Sequence, residues 1–246
     1  MRTPRPVAFL AGATGGIGPA IARRLARDGF DLALATRRRP AEARALAIDV
    51  ATSGARAIVV AGDLGREPAA RRALEKTHRV FGRLDALVLA VGDLHLGKTS
   101  ETTARDLRAQ FATNVELPWT LARAALPRLR RSPRARVVFF VMSGVSALTG
   151  KRQVAAHAAA KTALLVMARS LALEVARDGI VVTAVAPGVV RTSRSRRAAV
   201  QPFLKAVPGG RAVTPDEVAA AVSACLSVDA ATWSGAEVPA ALGFGL

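Results

Sequence analysis

Four glycines in Gly12-Ala13-Thr14-Gly15-Gly16-Ile17-Gly18 are spaced for one kind of chemistry. They follow a short apolar run, Val7–Leu10. They precede Ile17–Asp28, where Ile17, Ile21 and Leu25 recur at helical spacing until Gly29. Glycine lets a backbone turn tightly and approach a ligand closely. A helix opening at such a turn aims unpaired N–H groups and its positive dipole end at the ligand. The ligand expected is therefore an anion, the pyrophosphate of a dinucleotide. The second strand, Leu32–Ala35, runs into Thr36-Arg37-Arg38-Arg39. An acid there would bind a ribose 2′-hydroxyl and repel a 2′-phosphate. Arginine presents a planar fork of donors that suits phosphate. The cofactor expected is NADP(H), with Arg37 and Arg38 at the phosphate.

Other reactive residues are sparse. Cys225 is the single cysteine, which excludes a disulfide scaffold and a cysteine-based zinc site and suits the reducing cytoplasm. His78 and His95 stand alone, and no acid or cysteine lies at metal-ligand spacing, so no metal site is expected. The chain has no tyrosine, which removes one catalytic acid.

The elements that must carry these residues alternate from end to end. Strands are expected at Val7–Leu10, Leu32–Ala35, Ala57–Ala61, Ala86–Val91, Arg136–Met142, Ile180–Ala186 and Ala236–Ala240. Helices are expected at Ile17–Asp28, Ala41–Ala51, Pro68–Phe81 and Thr102–Leu129, the last bent or ended at Pro118 and Pro127. Two more follow at Val154–Arg177 and, after the cap Thr214-Pro215-Asp216-Glu217, through Ser227. The fifth strand is nearly all apolar, as when a parallel sheet is covered on both faces. The pattern is that of an α/β, doubly wound parallel sheet in a single domain over residues 1–246. The one long stretch without period is 189–213, with Arg191, Arg194, Arg196 and Arg197, Pro202, Pro208 and Gly209-Gly210. It is expected to be a substrate lid.

Composition narrows the function. At 246 residues and 51% hydrophobic, the chain can bury a substantial core. No apolar run reaches the ~18–20 residues of a membrane span. The start, MRTPRPVAFLAG, lacks a full signal peptide, because its apolar stretch runs straight into the glycine turn. The net charge of +18 comes mostly from arginine. A polyanion partner is one reading of that charge. The arginines, however, are scattered, no aromatics interleave for base stacking, and the chain is rich in Ala, Arg, Gly and Val throughout. Composition drift is therefore preferred, and a nucleic-acid-binding protein is the outside alternative.

These motifs together resemble the short-chain dehydrogenase/reductase family, in particular its 3-oxoacyl-carrier-protein reductase-like branch, over nearly the whole chain. Gly12–Gly18 resembles the family's cofactor turn, with Ala11 where Thr is usual. Gly62-Asp63-Leu64 resembles its adenine contact, and Asn114-Val115 its structural and proton-relay asparagine. Pro187-Gly188 with Thr192 resembles the segment beside the nicotinamide. Gly210-Arg211, Pro215–Ala219 and Ser234-Gly235 resemble its C-terminal signatures. The resemblance implies a Rossmann domain exchanging hydride between a nicotinamide and a carbonyl or alcohol, usually as a dimer or tetramer. It implies cofactor contacts at Gly12, Thr14, Gly15, Gly16, Ile17, Gly18, Asp63, Leu64, Ala90, Lys161, Pro187, Gly188, Val190 and Thr192. Helices Leu107–Leu129 and Ala155–Leu173 would pair across a two-fold axis.

The catalytic stretch departs from the family. Its Tyr-x-x-x-Lys pair is here His157-Ala158-Ala159-Ala160-Lys161, and its serine falls on Gly144, beside Ser143. The family's Asn-Asn-Ala-Gly is Leu89-Ala90-Val91-Gly92. Three readings follow. In the first, an atypical ketoreductase, His157 supplies the proton, Lys161 positions the nicotinamide ribose, Asn114 holds a water, and Ser143, Ser146 or a group on the substrate stands in for the lost oxyanion donor. In the second, catalysis is lost and the chain is an NADP(H)-binding partner subunit of a hetero-oligomer. In the third, His157 serves an isomerase or lyase. The first is preferred, on a small-molecule or carrier-linked carbonyl. For Arg128, Arg130, Arg131, Arg134 and Arg136 a solvated helix end is the default reading, and docking of an acidic carrier protein, which the resemblance suggests, is the sharper one.

Overall fold

A computed structural model describes residues 5–193 and 197–245, and the side chains of 197–200 lie outside the described set. Seven strands form one parallel sheet in the order β3-β2-β1-β4-β5-β6-β7. They are β1 Val7–Ala11, β2 Asp31–Thr36, β3 Ala57–Ala61, β4 Ala86–Leu89, β5 Arg136–Phe140, β6 Val181–Pro187 and β7 Glu237–Ala240. Among the described residues eight α-helices connect or follow them: α1 Gly18–Arg27, α2 Pro40–Ala51, α3 Glu67–Phe81, α4 Ala104–Phe111, α5 Leu117–Leu129, α6 Ala155–Glu174, α7 Arg197–Leu204 and α8 Pro215–Leu226.

Period two along the strands sorts side chains onto two faces. From β1, Phe9 and Ala11 enter one core with Leu74, Leu121, Phe139, Leu164 and Leu171. Ala8 and Leu10 enter the other, with Ile21, Leu25, Leu34, Val138 and Cys225. Each fully buried Leu, Ile or Phe contributes about 1.5–3 kcal/mol. Both faces of the central strands are thus apolar, which is why β5 lacks alternation in sequence. The expected doubly wound sheet is the one observed.

Local signals account for most element ends. Thr214 and Glu217 form a reciprocal capping box at α8, with Glu217 N–H donating to Thr214 Oγ1 at 3.2 Å. Gly82 ends α3 in the left-handed conformation. Two expectations change. The single helix expected over Thr102–Leu129 is α4 and α5 joined by a π turn at Ala112–Glu116. Pro118 cannot send the N–H that an α-helix would deliver to the Asn114 carbonyl, so the irregularity falls ahead of the proline. The stretch expected to be irregular contains α7, and its base is pinned by a parallel bridge between Val190 and Val213. Arg194 and Arg196 lie outside the described residues.

The strand order reverses between β1 and β4. Open α/β sheets bind ligands at such a switch point, beyond the C-terminal strand ends. Gly12, Arg37, Asp63, Ala90, Ser143 and Gly188 each follow a different strand at that edge.

Candidate active site and cofactor groove

The glycine turn closes tightly, with Gly15 N–H donating to Gly12 O at 2.9 Å. Gly12 has φ +83°, and a Cβ there would stand 2.0 Å from Ala90 O. A Cβ on Gly18 would stand 2.2 Å from Gly12 O. Only glycine fits at either position. Ile17 caps α1 without a side-chain hydrogen bond, and no acid sits in the first turn. The first amides of α1 are therefore not met by a capping side chain, and the dipole end carries no competing carboxylate. A pyrophosphate fits these residues. Thr192 packs on Gly16, which brings the segment after β6 to the same turn. Pro187 and Gly188 hold its approach: Pro187 O accepts from Ser143 N–H, and Gly188 N–H donates to Ala240 O, both at 3.1 Å.

A groove runs from this turn along the strand ends, lined in part by Thr14, Arg37, Leu64, Ala90 and Asp93. Its floor at β2 is a buried pair, Thr14 Oγ1 and Thr36 Oγ1, at 2.8 Å. Arg37 and Arg38 are exposed, as is Asp63. Arg39, absent from the expected cofactor contacts, donates from Nη1 to Thr14 O at 3.3 Å. Its Nε is 3.6 Å from Glu42 in the first turn of α2. The Thr36–Arg39 run did signal a basic strand end; which arginine folds back over the turn depends on the entry angle of α2.

Three of the four expected catalytic residues converge. His157 and Lys161 lie one turn apart on α6. Lys161 Nζ is buried and donates to Phe140 O at 2.7 Å. Burial brings its pKa down to about 7. A Cβ on Gly92 would stand 3.2 Å from Lys161 Nζ and 2.1 Å from Asn114 Oδ1. Gly92 thus lets both side chains close over it. Asn114 is fully buried in the π turn, and its Nδ2 donates to Asp93 O at 2.9 Å. Its Oδ1 is buried and has no hydrogen-bond partner in the structure. An orphaned acceptor beside an ammonium can hold a water.

His157 Nδ1 lies 3.1 Å from Asp93 O and 3.0 Å from Gln110 Oε1. Burial, with the Lys161 charge adding to it, lowers the imidazole pKa to about 4. The ring is therefore neutral at pH 7. Gln110, buried on α4, was not among the expected site residues. It stands four residues before Asn114, on the same helical face, and that spacing is the signal that could have found it.

Ser143 does not join the cluster. Its hydroxyl proton goes to Phe244 O, so it is not free to serve an oxyanion. The expected Arg128–Arg136 docking cluster is also displaced from the site. Arg136 opens β5 at the N-terminal sheet edge, one strand length from the strand ends that carry the site. Arg130 pairs with Asp178 at 2.7 Å. Among the described residues no cluster of His, Cys, Asp and Glu could hold a metal ion, and no helix is long and apolar enough to cross a membrane.

The sequence profile of the family described as short chain dehydrogenase matches residues 6–201. The chain belongs to that family. It is 32% identical over 225 residues to the 3-oxoacyl-[acyl-carrier-protein] reductase FabG of Aggregatibacter actinomycetemcomitans, covering 91% of this chain and 92% of the relative. It is 28% identical to the meso-2,3-butanediol dehydrogenase of Serratia marcescens, covering 97% and 94%. Among solved structures, a dehydrogenase/reductase from Sinorhizobium meliloti 1021 superposes with TM-score 0.92 at 26% identity, covering 99% of this chain and 96% of that one. The chain thus belongs to a family of oxidoreductases whose members bind nicotinamide cofactors.

Proposed function

We propose that this short-chain dehydrogenase exchanges hydride between NADP(H) and a ketone/secondary-alcohol pair, with His157 doing the proton transfer that the family assigns to tyrosine. The carrying observation is that Lys161 and Asn114 close over Gly92 in the groove that starts at the glycine turn, while His157 shares the Asp93 carbonyl and Gln110 Oε1 with Asn114. The bound cofactor would supply or accept the hydride. Lys161 would hold the nicotinamide ribose, Asn114 Oδ1 a water, and Arg37 and Arg38 the 2′-phosphate. The substrate class follows the relatives, whose names carry a 3-oxoacyl group and a butanediol: each holds a ketone or the alcohol formed from one. The segment over 189–213 would cover the substrate. A homodimer or tetramer fits the exposed Leu107 of α4 and Val166 and Leu173 of α6.

A second reading has one observation in its favour. Gly245 packs where the family's serine would stand, and Ser143 is committed to Phe244. That arrangement suits a cofactor-binding subunit without catalysis. One experiment separates the readings: NADP(H)-linked turnover on a panel of ketones and secondary alcohols, carrier-linked 3-oxoacyl chains included. In the first reading His157→Ala lowers turnover by about 10²–10⁴-fold and leaves NADPH affinity nearly intact. NADPH binding with no turnover on any substrate selects the second.

A further inference from the structure

We infer that Gln110 and the Asp93 carbonyl lock His157 in the tautomer with its proton on Nδ1, so that Nε2 is a bare base and the residue takes the proton of an alcohol. This rests on the proposed hydride exchange and assigns the form in which His157 enters it.

The Asp93 carbonyl is main chain and only accepts. Asn114 lies 2.9 Å from it and must present Nδ2. The same Nδ2 lies 3.3 Å from Gln110, so Gln110 turns Oε1 toward Asn114. That oxygen also faces His157 Nδ1 at 3.0 Å. His157 Nδ1 therefore meets two acceptors, Gln110 Oε1 and Asp93 O. A lone pair on Nδ1 would oppose both oxygens, whereas a proton there satisfies both. In a neutral ring, Nε2 is then left without a proton. The charged group that bears on the ring is Lys161, one turn along α6, and it disfavours a second positive charge. Asp93 contributes its carbonyl.

The chemistry balances. The alcohol O–H proton would pass to Nε2, a bound oxidised nicotinamide would accept the carbinol hydride, and the imidazolium so formed would release its proton to water, leaving a carbonyl. Gln110 touches no reacting atom; it is a positioning residue, in the way a partner on one ring nitrogen sets the other.

The tautomer is read with neither substrate nor cofactor present. The full chain is labelled with 15N-histidine, and long-range proton–nitrogen correlations are recorded at pH 7, with His157→Gln assigning the signal. The result expected is a protonated Nδ1 and a bare Nε2. The opposite pattern, or the averaged shifts of a ring exchanging both tautomers, overturns the inference. Gln110→Glu keeps the acceptor and the tautomer. Gln110→Leu removes it, and averaged shifts are expected, with alcohol-oxidation kcat lowered about tenfold to a hundredfold at unchanged NADPH affinity. Wild-type shifts and wild-type kcat in Gln110→Leu would deny Gln110 the role. The wild-type spectrum decides the tautomer even if that variant does not fold. NADPH titration, read separately, decides the underlying proposal.

Discussion

Gly144 and Gly245 pack backbone against backbone. A Cβ on Gly144 would stand 2.6 Å from Gly245 O, and one on Gly245 would stand 3.0 Å from Ser143 O. Gly144 also holds φ +77°, where a side chain is strained. The position that resembles the family's serine is thus closed by its own conformation and by the C-terminal segment. The loss of that serine and the seat of that segment are one structural fact.

Restoring the serine is therefore expected to harm the chain. Gly144→Ser should cost about 1–3 kcal/mol from backbone strain alone, before the C-terminal segment is displaced. Turnover should not rise. Thermal and urea melts check the first point and ketone reduction the second. A Gly144→Ser protein as stable as wild type and more active would show that the segment yields easily.

The fold was legible in the sequence because its signals are local and redundant. Strand and helix alternate, the glycine turn sits after β1, and Thr214 and Glu217 mark α8. The cluster was half legible. The spacing of four placed His157 and Lys161 on one helical face, and any α-helix preserves that. The environment of His157 was not legible, because Asp93 and Gln110 reach it from other elements across the fold. Nor could sequence show that Ser143 faces Phe244, since the two are 101 residues apart. The π turn escaped because Pro118 announces an irregularity without fixing which turn absorbs it.

Arg37 and Arg38 test the cofactor preference. Both are exposed just beyond β2, and Arg37 lines the groove. Changing both to Asp is expected to weaken NADPH by about tenfold to a hundredfold, the worth of one charge-assisted bond of about 1.5–3 kcal/mol. NADH should be affected far less. Fluorescence titration with both cofactors at fixed ionic strength checks this. Equal losses for the two would place the arginines away from the 2′-phosphate.

Asp85 tests what holds the strand starts together. It is buried just before β4 and accepts from Val7 N–H at 2.8 Å, Arg83 Nε at 2.7 Å and the Ser132 hydroxyl at 2.6 Å. Burial pushes its pKa up, but the bonds from Arg83, Ser132 and Val7 outweigh it and hold the carboxyl below its ordinary value. A carboxylate so lowered contributes stability above its unfolded pKa and loses it as pH falls through the folded one. Asp85→Ala is expected to cost about 3 kcal/mol at pH 7, or about 6–12 °C in Tm for a chain of this size. The difference from wild type should shrink in acid. A difference independent of pH would assign the loss to packing rather than charge.

Lys161 tests whether the site is kept at the expense of stability. Its ammonium is buried against the carbonyls of Phe140 at 2.7 Å and Val91 at 3.5 Å. Burial lowers its pKa to about 7 from the usual 10.5. Between those values the unfolded chain binds the proton that the folded chain has released, so stability rises with pH through that window. Below pH 7 both states are charged and the folded state bears the full desolvation cost. Lys161→Met should therefore be more stable than wild type at pH 6, offset in part by the lost bond to Phe140. Its advantage should narrow steadily from pH 7 to pH 10. Urea midpoints of the two proteins across that range check the sign. The same variant should bind NADPH more weakly, because the ammonium that burial penalises is the group proposed to hold the nicotinamide ribose. A variant that is more stable and binds less would identify Lys161 as retained for the site, whereas one that is less stable at every pH would identify it as a structural strut under β5.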